Sequence, residues 1–332
     1  MKALVTGGGG FIGGAILSLL RARGDAVTTL ARGAYPDLEA KGCVLVRSDL
    51  SDAAAVRRAA EGCDVVFHVA AKAGIWGSPD AYERTNVQGT QNVIDACLAA
   101  GVPRLVFTSS PSVAYAGEDV EGADASLPYP PEDAYKADYP RTKARAEKRV
   151  RAANGPKLAT VSLRPHLVWG VGDNHLLPRM VARARAGRLR IVGDGKARVD
   201  STYVDNAADA HLAAADALTH DGPLGGNAYF VSNGEPLPVG ELLNLLLAAA
   251  GAPPVTRHVP FKVAYAAGAA SEAVYRALRR TDEPLMTRFL AEQLATSHWF
   301  DIEPCARDFG WRPRVSLAEG LERLRAHAGQ GR

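Results

Sequence analysis

The stretch Thr6-Gly7-Gly8-Gly9-Gly10-Phe11-Ile12-Gly13 lies between an apolar run at Ala3–Val5 and a helix-period stretch at Phe11–Arg23. Glycine lets the backbone turn tightly between a strand and a helix and approach a pyrophosphate closely. The N-terminus of the following helix then offers unpaired N–H groups to the anion. Two registers are possible, Gly7/Gly10/Gly13 and Gly8/Gly10/Gly13, and the flanking residues favour the first. The stretch therefore predicts a dinucleotide-binding βαβ unit.

The strand–helix alternation continues through the first two thirds of the chain. Short apolar runs of strand length recur at Ala3–Val5, Ala26–Leu30, Val44–Val46, Val65–Val69, Leu105–Phe107, Thr160–Leu163 and Ala228–Val231. Helix-period stretches lie between them at Phe11–Arg23, Ser51–Glu61, Ala81–Ala100, Ala134–Ala153 and Asp205–Ala217, and we expect Gly24, Gly62 and Gly101 to end the first three. This alternation predicts an α/β fold, a Rossmann-type doubly wound parallel sheet.

Two segments break the alternation and predict a smaller, mainly helical substrate domain. Residues 169–202 are rich in Gly and Arg, and helix-period stretches follow Ser232 at Val239–Ala250, Phe261–Arg279, Pro284–Leu294 and Leu317–Arg325. We therefore expect a nucleotide-binding Rossmann domain of residues 1–168 plus 203–232 and a substrate-binding domain of residues 169–202 plus 233–332. The stretch Phe261–Arg279 is apolar on one face and basic near its end, so it could contact lipid, but we expect it to face the core.

Composition excludes several classes of protein. Of 332 residues, 47% are hydrophobic and 23% charged, with a net charge of +3, which gives no argument for nucleic-acid binding. The four cysteines lie far apart without a CxxC pair, so we expect buried, reduced thiols rather than a zinc or redox site. No uncharged apolar run reaches about 18 residues, and the first strand begins at once. We therefore expect no transmembrane helix, no signal peptide and a cytoplasmic location.

The end of the second strand predicts the coenzyme. NAD-binding enzymes place an acidic residue there, about 20 residues past the glycines, to bind the ribose 2′-hydroxyl. This sequence has Leu30-Ala31-Arg32-Gly33 and no acid. Because Arg32 would attract a 2′-phosphate, we expect NADP(H) rather than NAD(H). Asp49-Leu50 follows the third strand, where the carboxylate can reach the adenine amino group or, alternatively, cap the next helix.

Tyr139 and Lys143 form the candidate catalytic pair. Of ten tyrosines, only Tyr139 has a lysine four residues on, and positions i and i+4 share one helix face. Ser109 and Ser110 follow the fifth strand, where a hydroxyl could hold a carbonyl oxygen. Hydride reduction of a ketone also needs a proton donor. An ammonium about 4 Å away is worth roughly 4 kcal/mol, so we expect Lys143 to lower the pKa of Tyr139 toward 7.

The sequence resembles the extended short-chain dehydrogenase/reductase superfamily over nearly its whole length. The matching motifs occur in order: Thr6–Gly13, Asp49-Leu50, Asn86–Thr90, Thr108–Ser110, Tyr139–Lys143, Leu163–Pro165, Tyr203–Asn206 and Phe309–Trp311. The resemblance implies a catalytic trio of Ser110, Tyr139 and Lys143, with Lys143 also on the coenzyme. It further implies that Asn86 orders the active site. Coenzyme contacts are implied at Gly7, Gly10, Phe11, Ile12, Gly13, Ala70, Pro165 and Leu167.

Within that superfamily the chain resembles the 3β-hydroxysteroid dehydrogenase-like branch, and in it the reductases of bacterial long-chain olefin biosynthesis. The stretches behind this are Ala71–Ser78, Thr108–Val113, Ser232–Pro238, Arg288–Leu294 and His298-Trp299. The resemblance implies NADPH-dependent reduction of a β-keto acid with two long alkyl chains. It also implies a homodimer, formed through helices flanking the sheet. By this resemblance the reductase would work beside a thiolase-type condensing enzyme, a β-lactone-forming ligase and a lyase, and could assemble with them.

A long dialkyl acid needs an apolar cleft and one group for its carboxylate. Lys72, just after the fourth strand, is the candidate for the carboxylate, and Trp76 and Trp299 are candidates for the apolar walls. His68 lies inside an apolar strand and is expected to be a hydrogen-bonded core histidine. Asp173, His175 and Asp194 form no recognisable metal set, so we assign no metal.

Three other interpretations stay open. A nucleotide-sugar epimerase or dehydratase shares the fold, but the missing acid after the second strand argues against it. A 3β-hydroxysteroid or flavonoid-type dehydrogenase/reductase shares every catalytic candidate. A regulatory or scaffold protein that senses NADPH is the alternative without catalysis, although such relatives often lack the tyrosine or lysine present here.

Overall fold

A computed structural model describes residues 1–330 and contains a central sheet of seven parallel strands. The strands, numbered along the chain, are β1 Lys2–Thr6, β2 Ala26–Ala31, β3 Val44–Arg47, β4 Val65–His68, β5 Arg104–Thr108, β6 Val120–Ala123, β7 Ala159–Pro165, β8 Val168–Trp169, β9 Ile191–Val192, β10 Arg198–Val199, β11 Thr202–Tyr203, β12 Ala228–Val231, β13 Leu237–Pro238, β14 His258–Val259 and β15 His298–Phe300. The order in the central sheet is β12-β7-β5-β4-β1-β2-β3. The predicted doubly wound Rossmann-type fold is confirmed, and the strand order reverses between β1 and β4.

Helices cover both faces of this sheet. They are α1 Phe11–Ala22, α2 Pro36–Ala40, α3 Ala53–Ala60, α4 Pro79–Tyr82, α5 Gly89–Ala100, α6 Asp138–Ala152, α7 Leu176–Arg185, α8 Val204–Ala217, α9 Val239–Ala249, α10 Phe261–Ala277, α11 Arg288–Ala295, α12 Glu303–Phe309 and α13 Leu317–Gln330. Gly24, Gly62 and Gly101 follow α1, α3 and α5 with positive φ, as predicted. No helix within residues 1–330 has the length and apolar composition needed to cross a bilayer.

Two helices differ from their predicted extents. The predicted helix Ala134–Ala153 begins at Asp138, because Pro140 lacks a backbone N–H and fits only the first turn of a helix. The predicted helix Ala81–Ala100 is interrupted by a π-helical turn, Glu83–Gln88, which widens the helix at Asn86. Such turns are frequent at functional sites, and no residue pattern in the sequence marked this one.

The helix predicted to face the core between Phe261 and Arg279 does not do so. Only Ala264, Gly268 and Glu272 of α10 are buried. Val263 and Val274 are more than half exposed. The prediction was wrong for the large apolar residues, because Ala264, Gly268 and the ion-paired Glu272 seat the helix instead.

The predicted division into two domains remains a prediction, and two elements cross it. A small second sheet has the order β13-β10-β15-β6, so β6 of the predicted Rossmann segment pairs with strands of the other segment. Conversely, α12 belongs to the predicted substrate segment, but Cys305 and Phe309 pack into the core beside the central sheet. All four cysteines are free and buried, as expected.

An ion pair with no exposed surface joins α6 to β7. The Arg164 Nε and Nη2 atoms donate to the two Glu147 carboxylate oxygens at 3.0 and 2.6 Å, and both side chains are fully buried. The Tyr129 hydroxyl donates to the same carboxylate at 2.6 Å. Burial raises the pKa of Glu147, but the Arg164 charge and these hydrogen bonds outweigh it and hold that pKa below its usual value. The pair therefore fixes the register of α6 against the sheet.

We expect Arg164→Met to lower the free energy of unfolding by about 3–5 kcal/mol, because it leaves a buried carboxylate without its cation. The double variant Glu147→Met/Arg164→Met should recover much of that loss. Urea denaturation without coenzyme measures both values. Arg312→Met is the control, since Arg312 pairs with Glu303 on the exposed surface and its loss should cost far less than the loss of Arg164. Equal costs for the Arg164 and Arg312 variants would contradict this account.

Candidate active site

A groove of about 590 Å³ runs along the carboxyl ends of the central strands. It is lined by every residue predicted to contact coenzyme or to act in catalysis: Gly7, Gly10, Phe11, Ile12, Gly13, Arg32, Asp49, Leu50, Ala70, Ser110, Tyr139, Lys143, Pro165 and Leu167. The structure thus brings together candidates separated by up to 160 positions, and their individual roles remain predictions. The groove crosses the point where the strand order reverses, which is the usual ligand position in open α/β sheets.

The glycine loop has the shape that a pyrophosphate needs. Gly7 has a φ of +75°, and a Cβ on it would lie 2.9 Å from the Ala70 Cα atom. A Cβ on Gly13 would lie 2.2 Å from the Gly7 carbonyl oxygen, so α1 approaches the loop more closely than any side chain permits. Gly10 stands at the N-cap of α1 and offers no side-chain acceptor to its free N–H groups. These residues fit a dinucleotide, because the cradle and the positive end of the helix meet at one place.

Two arginines lie at the other end of the groove. Arg32 follows β2 and Arg47 ends β3, and the two strands are paired through Ala31 and Arg47. Both arginines are exposed, and with Ser48 and Asp49 they line a shallow adjoining cavity. Two guanidinium groups and a hydroxyl form a suitable set of donors for a phosphate.

Asp49 does not cap the helix that follows it. Asp52 caps α3 and accepts the Ala55 N–H at 3.0 Å. Asp49 accepts the Ser51 N–H at 2.9 Å, and this bond, with the nearby Arg32, keeps the pKa of Asp49 below its usual value. The alternative in which Asp49 caps the helix is therefore excluded, and an ionised carboxylate lines the groove.

Lys143 is held by the strand beside it. Its ammonium donates to the Thr108 carbonyl at 2.6 Å and lies 4.0 Å from the centre of the Phe107 ring. Burial lowers the pKa of Lys143 to about 7, although Glu147, one turn further along α6, opposes this. Lys143 is therefore poised between its charged and neutral forms near neutral pH.

The expected acidification of Tyr139 is not found. Burial raises the pKa of the Tyr139 phenol, and the Ser110 hydroxyl, rather than Lys143, partly offsets it. The physical reason is that Lys143 is itself buried and directs its proton to the Thr108 carbonyl. Ser110 in turn shares a 2.9 Å hydrogen bond with the Ser112 hydroxyl. The phenol is consequently protonated at neutral pH, with a serine hydroxyl beside it.

His68 is a hydrogen-bonded core histidine, as predicted. The Thr6 hydroxyl oxygen accepts the Val69 and Ala70 N–H groups at 3.1 Å, so its proton must go to His68 Nδ1, 2.8 Å away. His68 Nε2–H then donates to Thr90 Oγ1 at 2.9 Å. Burial, aided by the Lys143 charge, lowers the pKa of His68 to about 3, so the ring is neutral.

This chain of hydrogen bonds reaches α6, which carries Tyr139 and Lys143, through the π-helical turn. The Thr90 hydroxyl donates to the Asn86 carbonyl at 2.6 Å. The Asn86 amide donates to Thr142 Oγ1 at 3.0 Å, and its oxygen accepts the Lys72 N–H at 2.7 Å. Asn86 therefore connects the glycine loop, the loop after β4 and α6, which supports the ordering role that the resemblance implied.

The backbone after β7 is strained where it meets the groove. Leu167 has a φ of +40°, a conformation that residues with a side chain rarely adopt. Such outliers persist when the surrounding structure fixes them, and they concentrate at ligand sites. Pro165, two residues earlier, ends the fully buried strand β7. This geometry supports the predicted contact between Pro165–Leu167 and a ligand.

The three predicted substrate residues do not line the groove. The Lys72 ammonium lies over the Tyr82 ring, 4.9 Å from its centre. The Trp76 indole donates to the Arg280 carbonyl at 2.9 Å. Trp299 packs beneath Gly122 of β6. Their contact with substrate therefore remains a prediction without geometric support.

The remaining groove-side candidates have structural roles. Asp173 accepts the N–H groups of His175, Leu176 and Leu177 at the start of α7. Within residues 1–330, His, Cys, Asp and Glu nowhere form a group of three placed to hold a metal ion.

Sequence reasoning missed two residues that shape the site. Arg47 ends the strand next to Arg32, and a comparison of the residues at the ends of paired parallel strands would have singled it out. Glu147 follows Lys143 by the same four-residue spacing that joins Tyr139 to Lys143, so the helical period alone indicates it.

Comparison with known proteins places this site in a family. The profile of the 3-beta hydroxysteroid dehydrogenase/isomerase family matches residues 4–261. The chain is 55% identical to the 2-alkyl-3-oxoalkanoate reductase of Stenotrophomonas maltophilia, over 98% of this chain and 99% of that protein. It is 49% identical to the protein of the same name from Shewanella oneidensis, over 98% and 85% of the two chains.

Among solved structures, a UDP-glucose 4-epimerase of Thermus thermophilus in complex with NAD is similar in fold. It has a TM-score of 0.74 and 28% identity, over 99% of each chain.

We expect Lys143→Met to change how stability depends on pH in the coenzyme-free protein. Between about pH 7 and 10.4 the unfolded chain holds the Lys143 proton and the folded chain releases it, so wild-type stability gains about 1.4 kcal/mol per unit of rising pH. The variant lacks this gain. Its stability relative to wild type should therefore be greatest near pH 7 and fall as the pH rises to 9.

Urea denaturation at pH 7, 8 and 9 measures this difference. Lys148→Met, on an exposed position of the same helix, is the control and should show no such slope. A pH-independent difference between wild type and Lys143→Met would contradict a lysine that titrates near neutrality.

Proposed function

Since the chain belongs to the 3-beta hydroxysteroid dehydrogenase/isomerase family and is an oxidoreductase, we propose that it reduces a 2-alkyl-3-oxoalkanoate to the 2-alkyl-3-hydroxyalkanoate with NADPH. The observation that carries the proposal is that one groove joins the exposed Arg32, which shares an adjoining cavity with Arg47, to the Ser110, Tyr139 and Lys143 cluster. The substrate class comes from the two reductase relatives, which match almost the whole chain. Following the resemblance of the sequence motifs to the reductases of olefin biosynthesis, we propose that the reaction belongs to long-chain olefin biosynthesis.

The choice of NADPH as coenzyme is supported by residues of the groove and of the cavity that adjoins it. The family uses NAD or NADP. Arg32 and Arg47 would bind the 2′-phosphate that only NADPH carries, and Asp49 would accept a hydrogen bond from the adenine amino group. The glycine loop and the N-terminus of α1 would hold the pyrophosphate. When bound, NADPH supplies the hydride that reduces the ketone carbon.

The protein supplies the proton and the alignment. Because burial keeps the Tyr139 phenol protonated, it is ready to donate its proton to the oxygen of a ketone placed beside it. The Ser110 hydroxyl holds that oxygen in line, as an oxyanion donor does. In its charged form Lys143 stabilises the phenolate left behind, and with a pKa of about 7 it can then return a proton to that phenolate. Tyr139 thus acts as the acid, and Ser110 holds the ketone oxygen in position. Lys143 supplies the positive charge beside the phenolate.

Arg32→Ala should lower kcat/KM for NADPH by about 10- to 100-fold, because each charge-assisted hydrogen bond to a phosphate is worth roughly 1.5–3 kcal/mol. Arg47→Ala should act in the same direction. With NADH, both variants should stay within about threefold of wild type, since NADH has no 2′-phosphate for them to bind. Steady-state kinetics with each coenzyme measures these ratios.

Arg188→Ala, at an exposed position outside the groove, is the control for the loss of a positive charge. A wild-type preference for NADH, or equal losses with both coenzymes, would overturn the NADPH assignment.

Tyr139→Phe should lower kcat by about 10²- to 10⁴-fold while leaving the Kd for NADPH within about threefold, because the change removes only the donated proton. Loss of NADPH absorbance with a 2-alkyl-3-oxoalkanoate measures kcat, and coenzyme fluorescence measures Kd. Tyr265→Phe, outside the groove, is the matched control. Turnover unchanged in Tyr139→Phe would require another acid, and wild type that binds NADPH without reducing any ketone would favour a sensor protein.

A further inference from the structure

Helix α10 packs on the rest of the protein through one face only. Its buried residues Ala264, Gly268 and Glu272 are spaced by four. A Cβ on Gly268 would lie 2.6 Å from the Thr287 carbonyl carbon, so the helix crosses that backbone in close contact. The Glu272 carboxylate accepts three hydrogen bonds from Arg288, at 2.7 to 2.9 Å. The helix is therefore firmly held by this side, and its other side is available.

The opposite face is apolar and exposed. Seven large hydrophobic residues within 1–330 are prominently exposed, and five of them lie between positions 261 and 285: Phe261 at 38%, Val263 at 55%, Val274 at 53%, Leu278 at 64% and Leu285 at 60%. Exposed alanines at positions 266, 267, 270, 273 and 277 join them along the helix. Clustered exposure of this kind marks an interaction surface.

Two cations beside this face have no acidic partner. Between positions 261 and 285 the basic residues are Lys262, Arg276, Arg279 and Arg280, all exposed. The acids in that range are all paired: Glu272 with Arg288 and Arg276, Asp282 with Arg280, and Glu283 with Arg179. Arg280 is paired with Asp282, whereas Lys262 and Arg279 form no ion pair with residues in the described chain. An apolar helix face flanked by unneutralised cations fits an anionic lipid surface.

The same charges argue against a second copy as the occupant. A twofold axis across α10 would place the two helices antiparallel. The Lys262 end of one copy would then lie against the Arg276–Arg280 end of the other. Like charges would meet at both ends, so self-pairing through this face is disfavoured.

The carboxyl end of α10 contacts the loop that borders the groove. Trp76 packs edge-on against Tyr275, with ring centres 6.0 Å apart, and donates to the Arg280 carbonyl. In the same loop, Ala71 and Ala73 line the groove. A surface bound by α10 would therefore lie next to the loop that shapes one wall of the site.

We propose that α10 docks the protein on the surface of an anionic bilayer, with Val263, Val274 and Leu278 in the interface and Lys262 and Arg279 at the lipid phosphates. The helix lies in the interface and does not span it. Docking would let an acid with two long alkyl chains pass from lipid to the groove without crossing water. This last step rests on the proposed function, whereas the docking itself does not.

Co-sedimentation with vesicles tests the docking without substrate. Vesicles of phosphatidylcholine and phosphatidylglycerol at about 2 to 1 should bind the full-length protein, and phosphatidylcholine alone should bind it far more weakly. Lys262→Glu and Arg279→Glu should each weaken binding by at least about fivefold, as should added salt. Val274→Gln/Leu278→Gln should weaken it on both the anionic and the neutral vesicles.

Matched controls separate this surface from general stickiness. Val44→Gln removes an equally exposed apolar side chain, 62% exposed on β3, and Lys157→Glu reverses an exposed charge elsewhere; both should bind as wild type does. Reduction of a short, water-soluble β-keto acid should be unchanged in every variant, which reports the proposed function separately.

Three results would overturn the proposal. Wild type that stays in the supernatant with both kinds of vesicle shows that no docking occurs. Controls that lose as much binding as the α10 variants show that the surface is not specific. A shift in sedimentation velocity from a larger species to a smaller one in Val274→Gln/Leu278→Gln, without vesicles, assigns the face to another copy of the chain.

Discussion

The bidentate ion pair between Glu147 and Arg164 joins the helix that carries Tyr139 and Lys143 to the strand that ends at Pro165. Neither charge reaches water, so each depends on the other. Because Glu147 lies one helical turn beyond Lys143, and Lys143 one turn beyond Tyr139, the pair sets the height and rotation of all three. Tyr139 and the strained backbone at Leu167 therefore face one groove from two rigid elements.

Neutral histidines extend this control without adding charge. His68 joins Thr6 of the glycine loop to Thr90. His211 makes a similar hydrogen bond to Thr108 at the end of β5. The Thr108 hydroxyl bonds His211 Nε2 at 2.8 Å, while the Thr108 carbonyl accepts the Lys143 ammonium. Burial lowers the pKa of His211 to about 4, so the ring stays neutral. These hydrogen bonds hold Lys143 in the interior, where its burial lowers its pKa.

The sequence was most informative about features that depend on residues close together in the chain. The glycine loop between β1 and α1 predicted a cradle that the structure contains, because close backbone approach excludes any Cβ. The four-residue spacing of Tyr139 and Lys143 placed both on one face of α6. These signals depend on neighbours in the chain, and strand–helix alternation likewise predicted the doubly wound parallel sheet, although not its strand order.

Other features depend on contacts between distant segments, and the sequence could not show them. The π-helical turn at Asn86 is fixed by partners on three elements. The direction in which the pKa of Tyr139 moves depends on where Lys143 sends its proton, which spacing does not reveal. Likewise α10 looks like a core helix by composition, but its seat is a stripe of Ala264, Gly268 and Glu272 against Thr287–Arg288.

The central claim is that the groove fixes the hydride donor and the Tyr139 proton on opposite sides of one carbonyl. Its most direct test is reduction of a 2-alkyl-3-oxoalkanoate with NADPH deuterated at the transferred position, followed by mass spectrometry and chiral analysis of the product. The account predicts deuterium on carbon 3 in a single configuration. Product without deuterium at carbon 3, or an equal mixture of the two configurations there, would contradict it.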